Sequence, residues 1–120
     1  MCGITGFYCF GSNKISAESL QVMTQTLSYR GPDDNGCAVF PSNWDAPNLF
    51  TDTETLAKSK SGQVGLGHRR LSILDLSKLG HQPMSRANEK VWMVFNGEIY
   101  NYIEIREELE AKGYQFTTNT

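Results

Sequence analysis

Ile4-Thr5-Gly6-Phe7-Tyr8-Cys9-Phe10 is apolar and glycine-rich, and Gly11-Ser12-Asn13-Lys14 breaks it with turn-forming residues, so the chain opens with a strand and a turn. Ser16 then precedes Leu20, Met23 and Leu27, apolar residues at i, i+3 and i+7, and its hydroxyl can cap the first-turn amides. That spacing predicts a helix packed by one face. Proline and the Asp/Asn/Gly residues of Arg30-Gly31-Pro32-Asp33-Asp34-Asn35-Gly36 end it, and Cys37-Ala38-Val39-Phe40 reads as a short strand.

Further along, Pro41 to Gly62 is polar, with scattered Trp44, Leu49 and Phe50 and no period, which predicts a long surface loop or insertion. Gln63 to His68 and Leu71 to Leu74 have strand composition, separated by the Arg69-Arg70 pair, and Ser77 to Asn88 is turn-like. Val91-Trp92-Met93-Val94-Phe95 is short and apolar and predicts a fully buried strand. Asn101 with Glu104 resembles a capping box, Tyr102, Ile105 and Leu109 fall on one helical face, and Gly113 stands at the C-cap position. Tyr114 to Thr118 restarts a strand, and the stop at Asn119-Thr120 without hydrophobic closure predicts a truncation. Strand, helix, several strands, helix and strand is not the alternation of a doubly wound parallel sheet, so the class expected is α+β with antiparallel sheets.

With 120 residues the chain is one domain or a piece of one, and 39% hydrophobic against 20% charged residues fits a packed core rather than a disordered tail. Eleven basic and thirteen acidic side chains, for a net charge of −2, leave no basic stripe for nucleic acid. The longest apolar run, Val91 to Phe95, is far short of the roughly 20 residues that span a bilayer. No membrane partner is expected. The first residues have no basic segment or apolar stretch of a secretory signal, which makes the cytoplasm the default location. Cys2, Cys9 and Cys37 form an odd set without C-x-x-C spacing, as expected of free thiols in a reducing compartment.

Three features carry chemistry. Removal of Met1 would leave Cys2 holding both a thiol and a free α-amine, a nucleophile with its own base; as a lone feature, a second-position cysteine is also a small hydrophobe at a strand start. Phe95-Asn96-Gly97-Glu98 runs an apolar strand into an Asn-Gly pair, which can supply an amide and a closely approaching backbone N–H to an oxyanion, although read alone such a pair favours a hairpin turn. His68-Arg69-Arg70 lies between apolar segments, where a guanidinium fork can grip a carboxylate or simply be solvated. His68 and His81 have no carboxylate or cysteine at ligand spacing, so no metal site is expected.

Taken together, Met1-Cys2-Gly3-Ile4-Thr5-Gly6, Tyr29-Arg30-Gly31-Pro32-Asp33, Gly67 to Asp75, Gly80-His81-Gln82-Pro83-Met84 and Phe95 to Tyr102 resemble the glutaminase domain of glutamine-dependent asparagine synthetases almost end to end. Glucosamine-6-phosphate synthase and amidophosphoribosyltransferase share the Cys-Gly-Ile start and an Asn-Gly pair, but R-G-P-D together with H-R-R-L-S-I resembles the asparagine-synthetase branch more closely.

The resemblance implies a class II glutamine amidotransferase of the N-terminal-nucleophile hydrolase fold, a four-layer αββα sandwich, incomplete in residues 1–120. It implies that Cys2 attacks the side-chain amide of L-glutamine, releases ammonia and leaves a γ-glutamyl thioester for water. Arg70 matches the arginine that grips the α-carboxylate, Leu71, Ser72, Ile73 and Leu74 line the site, Asn96 and Gly97 form the oxyanion hole, and Glu98 touches the substrate amine. No cofactor is expected in this domain; ATP and Mg2+ are expected in the synthetase domain of the same chain, which would use the ammonia for asparagine synthesis from aspartate. A homodimer of the full-length protein is among the assemblies this implies. In the family an aspartate that binds the substrate amine follows the last strand, and the chain finishes at Thr120, one residue before its expected place. These 120 residues alone are therefore expected to be inactive. Two alternatives remain: an amidotransferase feeding another acceptor in polysaccharide or natural-product synthesis, and an inactive docking module.

Overall fold

A computed structural model describes residues 1–43, 45–57, 60–73, 76–86 and 88–118. Its elements are β1 (Gly3–Tyr8), α1 (Ala17–Gln25), β2 (Asp34–Phe40), β3 (Asn48–Phe50), α2 (Thr53–Ala57), β4 (Val64–Arg70), a 3-10 turn (Lys78–Gly80), β5 (Met84–Arg86), β6 (Val91–Met93) and α3 (Tyr102–Ala111). The main sheet has the order β1-β4-β2-β3 with every pair antiparallel, and β5 and β6 form a separate antiparallel ribbon. The class is α+β with antiparallel sheets, as the sequence predicts. No described helix is long and apolar enough to cross a membrane.

Alternation along the strands gives the main sheet two faces. On one, Ala17 and Leu20 of α1 pack with Cys37 and Val39 of β2 and with Phe50, and Phe7 and Leu56 close the cluster. Leu20 is wholly buried, a placement worth about 1.5–3 kcal/mol for a leucine. Ser16 caps α1 as expected, its hydroxyl accepting the Ser19 N–H at 3.2 Å. The buried face nevertheless runs through Thr24 rather than Met23, which is 36% exposed. The Thr24 Oγ1 donates to the Leu20 carbonyl at 2.8 Å and meets the Thr5 Oγ1 at 2.8 Å, while the Cys37 thiol donates to it at 3.4 Å. Gly67 makes this crossing possible, since a Cβ there would collide with both threonine hydroxyls.

On the opposite face Trp92 of β6 stacks edge-on against Phe40 with ring centroids 5.9 Å apart, and the His81–Gln82 segment crosses Gly36 so closely that a Cβ would lie 2.7 Å from the His81 Nε2. The described residues thus place α1 on one face of a four-stranded sheet and the β5–β6 ribbon on the other.

Several sequence expectations are corrected. The stretch from Pro41 to Gly62 is not all loop: it contains β3 and α2, and Phe50 is 2% exposed because β3 pairs with β2 through Cys37↔Phe50. Trp44 lies outside the described residues. β2 begins at Asp34, inside the expected turn, and β4 runs unbroken through the arginine pair, paired on both sides by β1 and β2. Leu71, Ser72 and Ile73 are not in a strand. β5 forms within the stretch read as turn, and its partner β6 is shorter than expected and not buried: Val91, Met93 and Phe95 are exposed, and among the described residues only the three-residue β5 pairs with β6.

Asn101 makes no side-chain cap to α3, whereas Gly113 does end the helix, at φ +89. There the Gly113 N–H reaches the Glu110 carbonyl at 2.9 Å and the Tyr114 N–H reaches the Leu109 carbonyl at 3.0 Å, the paired bonds of a Schellman ending. Residues 114–118 are not a strand. They lie along α3, with Arg106 donating to the Thr118 carbonyl at 2.6 Å and its guanidinium 4.8 Å from the Phe116 ring centre.

Candidate active site

The pairing of β1 with β4 puts Gly3 opposite Arg69, so the residue before β1 and the residue after β4 meet at one end of the sheet. Those residues are Cys2 and Leu71. The Leu71 N–H donates to the Cys2 Sγ at 3.3 Å, and the thiol lies 3.8 Å from the Leu71 carbonyl. The Arg30 Nε donates to the Cys2 carbonyl at 3.2 Å. The sulfur is therefore held by the main chain of Leu71, and Leu71 also lines a shallow hollow with Met1, Tyr29, Arg30 and Pro32.

The turn read from Arg30-Gly31-Pro32-Asp33 builds the floor of this site. Gly31 sits on the Arg69–Arg70 backbone, where a Cβ would come within 2.6 Å of the Arg70 nitrogen, and the Asp33 N–H donates to the Arg70 carbonyl at 3.1 Å. The Asp33 carboxylate in turn accepts the Ser72 N–H at 2.7 Å. This fixes the chain direction from Arg70 to Ser72 past the thiol. Arg30 and Asp33 are contributors that a reading of this motif as a turn alone does not assign; the visible signal was an aspartate directly after a Gly-Pro pair.

The two arginines separate cleanly by strand alternation. Arg69 lies on the α1 side and its Nε donates to the Gly31 carbonyl at 2.8 Å, a structural tie. Arg70 lies on the other face, donates to the Ser77 carbonyl at 2.6 Å, and rests on Gly80, whose missing Cβ would lie 2.6 Å from the Arg70 Cζ. Ile73 is 73% exposed. Leu74 lies outside the described residues.

Asn96, Gly97 and Glu98 are exposed, and among the described residues no hydrogen bond joins them to Cys2. Their segment is fastened one residue earlier. Gln82 accepts the Phe95 N–H at 2.6 Å through its Oε1 and donates through its Nε2 to the Phe95 carbonyl at 3.2 Å. Close by, His68 is 1% exposed, with its Nε2 lacking a hydrogen-bond partner among the described residues, and burial pushes its imidazole below the ordinary value of about 6.5, opposed by the Phe95 backbone and the Asp34 charge. His81 completes the neighbourhood, its Nδ1 2.7 Å from the Asp34 Oδ2. No group of three or more His, Cys, Asp or Glu among the described residues is placed to hold a metal ion.

Residues 51–120, which include Arg70, Gln82 and Asn96–Glu98, match a family described as the glutamine amidotransferase domain. The chain belongs to the glutamine amidotransferase domain family. Across its whole length it is 41% identical to the glutamine-hydrolyzing asparagine synthetase 1 of Bacillus subtilis, of which it covers 16%. It is also 37% identical to the putative glutamine-hydrolyzing asparagine synthetase 2 of Methanocaldococcus jannaschii, with 93% of the chain and 21% of that relative aligned. A third relative, the amidase chry2 of Gibberella zeae, is 32% identical over the full chain and 16% of its own length. The chain thus spans a fifth or less of the length of the asparagine synthetase of Bacillus subtilis and of the amidase, and these alignments, unlike the family match, include Cys2.

Proposed function

We propose that this glutamine amidotransferase domain hydrolyses L-glutamine with Cys2 as nucleophile and supplies ammonia to a synthetase domain of the same chain for ATP-dependent asparagine synthesis from aspartate. The observation that carries the reading is the Cys2 thiol held at 3.3 Å from the Leu71 N–H, next to Arg70, in a chain whose relatives are named glutamine-hydrolyzing. Class II chemistry then assigns the parts. The sulfur attacks the side-chain amide carbon, the C–N bond breaks as the leaving nitrogen takes a proton, and water hydrolyses the γ-glutamyl thioester to glutamate. With Met1 removed, the Cys2 α-amine accepts the thiol proton.

Arg70, at the end of β4, pairs with the substrate α-carboxylate, and Leu71 to Leu74 line the approach. Asn96 and Gly97 donate to the oxyanion and Glu98 contacts the substrate amine. ATP and Mg2+ act in the synthetase domain and no residue described here is assigned to them. The cytoplasm is the proposed location, the full-length protein the working unit and a homodimer its proposed assembly. The complete fold in this reading is the four-layer αββα sandwich, with β5, β6 and α3 contributing to its second half. Residues 1–120 alone would lack activity and, with Val91, Met93, Phe95 and Ile103 exposed, would tend to associate.

Ammonia release from glutamine by the full-length protein tests the reading. Parental turnover in Cys2→Ala would overturn it.

A further inference from the structure

Asn96 and Gly97 are exposed, yet an oxyanion site works only when its donors are fixed before the charge develops. The segment needs an anchor. Its own strand offers little, since β6 ends at Met93 and among the described residues has only β5 as a partner. The anchor in the structure is a side chain: Gln82 satisfies both main-chain groups of Phe95, taking the N–H at 2.6 Å and giving to the carbonyl at 3.2 Å. A primary amide does this because it carries a donor and an acceptor side by side, like one rung of a β-ladder.

Gln82 is itself tied to the main sheet. The residue before it, His81, bonds the Asp34 carboxylate at the start of β2 at 2.7 Å, and His81 and Gln82 together lie on Gly36, where any side chain would collide with them. Pro83, the residue after it, is buried. A continuous path therefore runs from β2 through Asp34, His81 and Gln82 to Phe95, and covalently on to Asn96 and Gly97.

We propose that Gln82 is a positioning residue for glutamine hydrolysis, holding the Asn96–Gly97 segment in register with the nucleophile through its double hydrogen bond to Phe95. The inference rests on the oxyanion role given above to Asn96 and Gly97. Gln82 touches no reacting atom; it sets where two donors stand. The Cys2 end of the sheet is fastened separately, by Arg30, Asp33 and the β1–β4 ladder, so loss of Gln82 should leave the thiol environment unchanged.

Steady-state glutamine hydrolysis by full-length Gln82→Ala, Gln82→Glu, Asn96→Ala and the double variant Gln82→Ala/Asn96→Ala tests this. Gln82→Ala should lower kcat about tenfold or more with KM within about threefold, since a defect confined to the transition state spares ground-state binding. Gln82→Glu keeps an acceptor for the Phe95 N–H but sets a carboxylate oxygen against the Phe95 carbonyl in place of the donor, and should also lower kcat. Asn96→Ala removes one of the two anchored donors and leaves the Gly97 N–H, so the losses in the double variant should be clearly less than additive. Alkylation of Cys2 by iodoacetamide should keep its parental rate, and the Phe95 amide should exchange faster in Gln82→Ala. If Gln82→Ala does not fold, the kcat of Gln82→Glu decides the matter.

Parental kcat in folded Gln82→Ala and Gln82→Glu, or additive losses in the double variant, would overturn the positioning role. Parental kcat in Asn96→Ala, with Cys2→Ala inactive, would instead overturn the oxyanion assignment beneath it.

Discussion

At the Cys2 end of the main sheet, and in the Phe95–Glu98 segment, the proposed chemistry relies on two quite different kinds of support. Cys2 is fixed by the β1–β4 ladder, by the Leu71 N–H on its sulfur, by Arg30 on its carbonyl and by a turn whose Gly31 and Asp33 grip residues 69–72. The Phe95–Glu98 segment is exposed, with Gln82 bonded to Phe95 at its start. A nucleophile built into a paired sheet is insensitive to substitution nearby unless the backbone contact itself is broken. An exposed loop fastened at its start by a side-chain amide can be unsettled cheaply and should reveal this in rate before stability.

The largest effect expected is on turnover. Cys2→Ala should lower glutamine hydrolysis by roughly 10³-fold or more, measured as ammonia release, because no neighbouring group replaces the sulfur in forming the thioester. Next come two glycines that probe the contrast directly. Gly31→Ala puts a Cβ against the Arg69–Arg70 backbone and should cost about 1–3 kcal/mol in chemical denaturation. Gly97→Ala meets the Phe95 ring first, whose Cζ would lie 2.8 Å away and can swing aside, so its stability should change by less than about 0.5 kcal/mol while kcat falls. Equal stability losses in the two would erase the distinction.

Arg70→Lys should raise KM for glutamine about tenfold by losing the guanidinium fork, with Cys2 alkylation unchanged. Arg69→Lys gives up a single bond to the Gly31 carbonyl, and should cost about 1 kcal/mol of stability with little effect on KM. Reversal of that pattern would exchange the roles of the pair.

The smallest effect concerns pH. His68 is buried and its imidazole is held below the ordinary value, so between that lowered value and about 6.5 the unfolded chain binds a proton the folded chain refuses. Its contribution is therefore fully present above about pH 6.5 and is lost as pH falls below it. Urea midpoints from pH 7.5 to 5 should drop less steeply in His68→Gln than in the parent. An unchanged slope would show that His68 does not carry this linkage.

How much of this was legible in the sequence depended on whether the deciding contact was local. The Ser16 cap, the Gly113 helix ending, β1 and the α+β class follow from short-range patterns, and the structure has them. Phe50 in the core was not legible, because its burial comes from pairing with Cys37 thirteen residues back, across a stretch whose composition is that of a loop. Thr24 displaced Met23 on the buried face because a glycine opposite, Gly67, left room for a hydroxyl network rather than a thioether. In the site, Cys2 and Arg70 stood out by residue type and motif. Arg30, Asp33 and Gln82 act through backbone groups distant in sequence, which no spacing rule registers.

The central claim, that Cys2 forms the acyl bond, is tested most directly by peptide mapping after the full-length protein reacts with a glutamine analogue bearing an electrophilic carbon in place of the side-chain amide. Cys37 is a poor competitor, since burial pushes its thiol up and its Sγ is engaged with Thr24. The account predicts one adduct per chain, on Cys2, with Met1 absent from the modified peptide and glutamine protecting against the reaction. Stoichiometric inactivation with the adduct on Cys9, or glutamine hydrolysis persisting after Cys2 is fully modified, would contradict it.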